Sequence, residues 1–98
     1  MKFVQIIEYK TTKFDEVINL LDEWLAATEG KRLAGSSTTC RDRDNANTYV
    51  VVVEFPSYEE AMRNDDLPET QQFAEKMMAV CDGEPIFRNL DVVRQDEG

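Results

Sequence analysis

The segment "TYVVVVEF", Thr48 to Phe55, constrains the fold more than any other part of the chain. Successive strand side chains point to opposite faces, so the valine run is apolar on both. A sheet built around it has to keep both faces from water. "FVQIIEY", Phe3 to Tyr9, echoes it residue type by residue type, and each segment ends in Glu followed by an aromatic, Glu8-Tyr9 and Glu54-Phe55. The echo predicts two equivalent strands, each leading into a helix.

Between them Phe14, Val17, Ile18, Leu21, Trp24 and Leu25 recur at helical spacing, which predicts a helix over about Lys13 to Thr28 with one buried face. Thr12 with Asp15 resembles a capping pair, Asp15 and Glu16 suit the positive helix end, and Gly30 can close the far end in a left-handed conformation. Leu33 to Asp44, "LAGSSTTCRDRD", reads as a half-exposed strand at an edge or a pocket wall. "DNAN" at Asp44 to Asn47 then supplies a hairpin turn. After the valine strand, "SYEE" at Ser57 to Glu60 is a capping-box pattern that starts a second helix. Pro68 predicts a break near "NDDLP" and a restart with Phe73, Met77, Val80 and Cys81 on the buried side. Asp82-Gly83 ends that helix, and "PIFRNLDVV" forms the last strand.

The order is βαββαβ, an α+β pattern with the pseudo-two-fold of a ferredoxin-like fold and a four-stranded antiparallel sheet. With 98 residues, we expect one domain over residues 1–98. Helices cover only one face of such a sheet, so a second copy of the chain is the economical cover for the other. A homodimer is therefore expected.

Twenty acidic against eleven basic residues give a net charge of -9, which disfavours nucleic acid and anionic membrane surfaces as partners. The opening "MKFVQIIEYK" has neither a long apolar core nor a small-residue cleavage site, and no run approaches a membrane span, so the expectation is a soluble, cytoplasmic protein. The chain has no histidine and two cysteines, Cys40 and Cys81, read as free thiols. That inventory excludes histidine-based catalysis and a zinc site of the usual nitrogen and sulfur ligands within one chain. No cofactor and no metal are expected.

"YVVVVEFPSYEEAMRND", with the "QQF" after the proline, resembles the strand-to-helix signature of the dimeric α/β-barrel superfamily, in its antibiotic-biosynthesis-monooxygenase branch. The resemblance runs from "MKFVQIIEY" to "IFRNLDVV". It implies two ferredoxin-like subunits packed sheet against sheet as a dimeric α/β barrel, with a small-molecule cavity between sheet and helices in each. The activities it implies are cofactor-independent oxygenation of polycyclic phenols and quinols, haem degradation, and ligand sensing. Haem-degrading members use a histidine on the second helix and an asparagine on the first strand. This chain has no histidine and offers Gln5 and Ile7 on that strand, so haem degradation is not expected.

Candidate chemistry is spread over the chain. Glu8 and Glu54, at matching strand ends, are the candidate catalytic pair: a partly desolvated carboxylate with a raised pKa would serve as general base towards a phenol, whereas solvated rim carboxylates would not. Tyr9, Tyr49, Tyr58 and Trp24 are candidates to line an aromatic pocket, with core packing the alternative for Trp24. Arg41 and Arg43, on one face of the edge strand, are candidates to steer an anionic ligand or, alternating with Asp42 and Asp44, to pair and protect the edge. Arg63 and Asn64 stand near the helix break as candidate substrate contacts beneath a lid. Two functions remain open: a protein that binds, and as an oxygenase oxidises, a small aromatic or polyketide-like ligand, and a non-catalytic binding or interaction module.

Overall fold

The computed structural model describes residues 1–33 and 35–98. Among them the chain runs β1 (Phe3–Lys10), α1 (Phe14–Ala27), β2 (Ser36–Arg41), β3 (Thr48–Phe55), α2 (Tyr58–Asp65), α3 (Pro68–Val80) and β4 (Ile86–Asp91). The strands form an antiparallel sheet in the order β2-β3-β1-β4. This is the ferredoxin-like arrangement, with the two echoing strands β1 and β3 side by side at the centre. Phe3 pairs with Phe55 and Tyr9 with Tyr49, so the echo becomes a two-fold relation between neighbours. No helix among the described residues is long and apolar enough to cross a membrane.

Local chemistry accounts for most boundaries. Val17 is fully buried at the centre of the α1 stripe, and Gly30, at φ +81°, turns the chain beyond the helix. The start of α1 differs from the Thr12–Asp15 expectation. Thr11, fully buried, accepts from the Lys13 N–H at 3.0 Å while its hydroxyl donates to the Val80 carbonyl at 2.6 Å. One side chain thereby ties the end of β1 to the start of α1 and the end of α3.

At α2 the Ser57 hydroxyl accepts from the Glu60 N–H at 3.3 Å, which is half of the capping box. The reciprocal half is missing: the buried Glu60 Oε2 has no partner among the described residues. Pro68 opens α3 at its first position, where its absent N–H is harmless. Gly83, at φ +84°, turns the chain after α3.

The second strand is shorter than the expected Leu33 to Asp44, of which Ala34 lies outside the described residues. It ends at Arg41 because the Asp42 carboxylate turns back to accept from the N–H groups of Asp44 and Asn45 and from the Asn45 amide. An Asx-type turn thus competes with the ladder and wins. Asn47 supplies the positive φ, 59°, of the hairpin.

Candidate functional site

Register assigns every strand side chain to a face. Phe3, Gln5, Ile7 and Tyr9 of β1 share the helix-covered inner face with Tyr49, Val51, Val53 and Phe55 of β3, with Phe87, Asn89 and Asp91 of β4, and with Ser37, Thr39 and Arg41 of β2. The outer face carries Val4, Ile6, Glu8, Val50, Val52, Glu54, Cys40, Ile86, Arg88 and Leu90.

The inner face is covered unevenly. At one end Tyr9, Val17 and Tyr49 form a buried cluster against Phe14, Leu21, Val51, Met77, Val80 and Cys81. Phe14 stacks on Tyr49 at 4.2 Å between ring centroids, Tyr49 on Tyr9 at 5.6 Å, and the Arg41 guanidinium lies 5.9 Å from the Tyr49 ring. The Tyr9 hydroxyl is buried without a partner among the described residues, and burial, reinforced by Cys81 and Tyr49, pushes its pKa up to about 12. A phenol held so firmly protonated donates hydrogen bonds and does not act as a base. At the opposite end Phe3, Phe55 and Ala61 make a second cluster with Val53 and Met62.

Over β4 the helices leave the inner face open. Phe87 is 57% exposed there, and Asn89 is exposed as well. Across the strand pair, the Gln5 amide donates to the Asn89 amide at 3.2 Å. The result is a shelf with an aromatic ring and Ile7 on one side of a neutral amide pair. The sequence reading named Gln5 only as a departure from a family pattern and missed Phe87 and Asn89. A signal was present: Gln5 has the same strand parity as Phe3 and Tyr9, a polar residue amid the buried face.

The outer face places the candidate catalytic pair. Glu8 and Glu54 share that face, but the antiparallel register sets them at opposite ends, four residue steps or roughly 13 Å apart along the strands. Neither faces the helices. Of the two alternatives for Glu54, a raised pKa or a rim carboxylate, its surroundings rule out the first: the Ser36 hydroxyl donates to Oε2 at 2.8 Å and Lys2 reaches Oε1 at 3.0 Å, which hold the carboxyl below its usual range. These residues, with Gly35, Phe55 and Pro56, line an open depression of about 310 Å³ whose polar groups engage one another.

Between Glu8 and Glu54 the outer face is mostly apolar, with half-buried Val4, Ile6, Val50 and Val52 and exposed Ile86 and Leu90, interrupted by the exposed Arg88 opposite Ile6.

The remaining candidates do not converge. Trp24 lies between α1 and α3, its indole N–H donating to the Thr70 hydroxyl at 3.1 Å, with Phe73 and the Arg32 guanidinium against its ring. Tyr58 is exposed and meets Phe3 edge-on. Arg43 belongs to the Asp42 turn, so it does not share a strand face with Arg41. Arg63 is exposed, whereas Asn64 is buried and its side-chain oxygen accepts from the Leu33 N–H at 3.4 Å. Asn64 therefore fastens the segment after α1 to α2. Cys40 and Cys81 are free thiols, and no cluster of metal-ligating residues occurs among the described residues.

The family described as a domain of unknown function, DUF1330, matches residues 5–90. Curated proteins show no match. Among solved structures, SnoaB, a cofactor-independent oxygenase from Streptomyces nogalater, is similar with a TM-score of 0.80 at 14% identity, covering 96% of this chain and 95% of that one. Rv0793 from Mycobacterium tuberculosis gives 0.80 at 11% identity over 99% and 100% of the two chains. A structure described as an antibiotic biosynthesis monooxygenase gives 0.75 at 16% identity over 96% and 100%. The fold is that of the antibiotic-biosynthesis-monooxygenase-like proteins, as the strand-to-helix resemblance implied.

Proposed function

The chain belongs to the DUF1330 family, and from that premise we propose that it is a homodimeric protein that binds a small aromatic molecule on the inner face of its sheet beside β4. The observation that carries the reading is Phe87, a large aromatic exposed on a sheet face next to an amide pair. Ligand sites commonly combine apolar walls with a few placed polar groups. The outer-face patch of Val4, Ile6, Val50, Val52, Ile86 and Leu90 is the surface for the second copy.

The same geometry favours binding over base catalysis as the primary role. Neither candidate carboxylate faces this shelf, and Tyr9 is a poor base. An oxygenase of the kind SnoaB is described as would additionally consume dioxygen when its ligand binds.

Thermal unfolding against phenols, quinones, anthrones, flavin and haem tests the proposal, in a Cys40→Ser background so that the exposed thiol does not react with quinones. A ligand at 100-fold its Kd adds about 2.7 kcal/mol, which moves the midpoint of a small domain by several degrees. The expected result is a shift with planar aromatic compounds that Phe87→Ser abolishes. No shift with any compound overturns the reading and leaves the interaction module. Oxygen uptake with the compound that binds separates an oxygenase from a binding protein.

A further inference from the structure

We propose that the Gln5–Asn89 pair is the selectivity element of this shelf, and that it selects a neutral planar ring presenting one hydrogen-bond donor and one acceptor, as a lactam does. The inference rests on the aromatic-binding reading above and deepens it.

The pair sits where β1 and β4 lie side by side, with the two residues directly opposite each other. Each primary amide has a carbonyl oxygen and an NH2 group. One N–H of Gln5 is committed to the Asn89 oxygen. That bond leaves free the Gln5 oxygen, an acceptor, and the Asn89 NH2, a donor, beside the second N–H of Gln5. Exchanging oxygen and nitrogen in both amides together swaps which residue offers which but again leaves one acceptor and one donor, whereas exchanging one alone sets oxygen against oxygen or NH2 against NH2 and loses the bond. A ring with only acceptors leaves the free carbonyl of the pair unmatched, and one with only donors leaves the free NH2 unmatched.

Neighbouring residues agree with a neutral planar occupant. Phe87 lies two positions from Asn89 and Ile7 two from Gln5, both on the same face, so on that side the amide edge is flanked by apolar surface. An amide pair carries no charge, and the chain's net -9 gives no attraction for an anion. On the other side of Asn89 the next residue of the row is Asp91, two positions away and opposite Phe3, a carboxylate that further disfavours an anionic occupant.

The test compares 2-quinolone, which has both donor and acceptor, with N-methyl-2-quinolone, which has lost the donor, by calorimetric or fluorescence titration of the full chain. The expected result is about tenfold tighter binding of 2-quinolone, the scale of one hydrogen bond. With the amides as they lie, Gln5→Met removes the acceptor for the ring N–H and is expected to erase that preference, whereas Asn89→Leu removes the donor to the ring carbonyl, which both probes keep, and is expected to weaken both alike; with both amides exchanged the two variants trade roles. Asn89 is exposed, so its variant is a fair test even if the Gln5 variant perturbs folding. Equal binding of the two probes, or a preference that survives both substitutions, overturns the assignment. If neither quinolone binds while other aromatic compounds shift unfolding through Phe87, this inference fails and the aromatic site stands. If no aromatic binds at all, both fail.

Discussion

At the residue scale, Tyr9 and Glu54 show how environment redirects a side chain that its type alone would suggest for chemistry. Tyr9 is only 4% exposed and its hydroxyl is unpartnered among the described residues, so Tyr9→Phe removes a buried polar atom at no loss of packing. We expect the variant to be as stable as the parent or more stable by about 1 kcal/mol in urea unfolding, and a loss of that size would contradict the account. Because the folded-state pKa is raised, the Tyr9 contribution is complete below the unfolded tyrosine pKa and declines as pH rises towards about 12. A tyrosinate absorbance phase near pH 12 that Tyr9→Phe abolishes checks it.

Glu54 has the opposite sign. Its pKa is lowered by Ser36 and Lys2, so its contribution is present above the unfolded glutamate pKa and is lost as pH falls through the folded value. Glu54→Gln should flatten the acid-side fall of the urea midpoint, and parallel curves for parent and variant would refute the assignment. The mirrored placement of Glu8 and Glu54 was legible in the echo of the two strands. Their face and their distance were not, because both follow from antiparallel register, which neither segment encodes alone.

At the element scale, legibility tracked how local the cause was. The α1 helix, the Ser57 cap and the Pro68 restart are written within a few residues, and the structure places them where the sequence does, although Ile18 and Leu25 of the expected α1 stripe are exposed. The second strand was overextended because an aspartate side chain outcompetes the ladder, a contest that residue propensity does not show. Thr11 was not singled out at all, since its partners Lys13 and Val80 meet only in the fold. Thr11→Val keeps the shape and leaves the Lys13 N–H and Val80 carbonyl without their bonds. A loss of about 1–3 kcal/mol in chemical denaturation is expected, and a neutral result would show that Thr11 is not the tie between β1, α1 and α3.

At the scale of the whole molecule, the βαββαβ order and the two-sided apolar strand were the readable parts. The uncovered shelf was not, because where helices leave a sheet open is decided by helix packing and not by any one segment. The molecule is a slab of 35 × 33 × 21 Å whose helices serve one side. Its accessible surface of 6902 Å² exceeds the roughly 5,700 Å² expected of a compact monomer of 11.3 kDa. The excess is larger than the roughly 800 Å² that each partner contributes to a standard interface. That excess, with the largely apolar outer face, is surface that the proposed second copy would cover. Sedimentation equilibrium of the untagged chain at micromolar concentration tests this most directly. The expected mass is twice 11.3 kDa, reduced towards one chain by Val52→Asp on the outer face. A parent mass equal to one chain would contradict it and leave the outer valines without a cover.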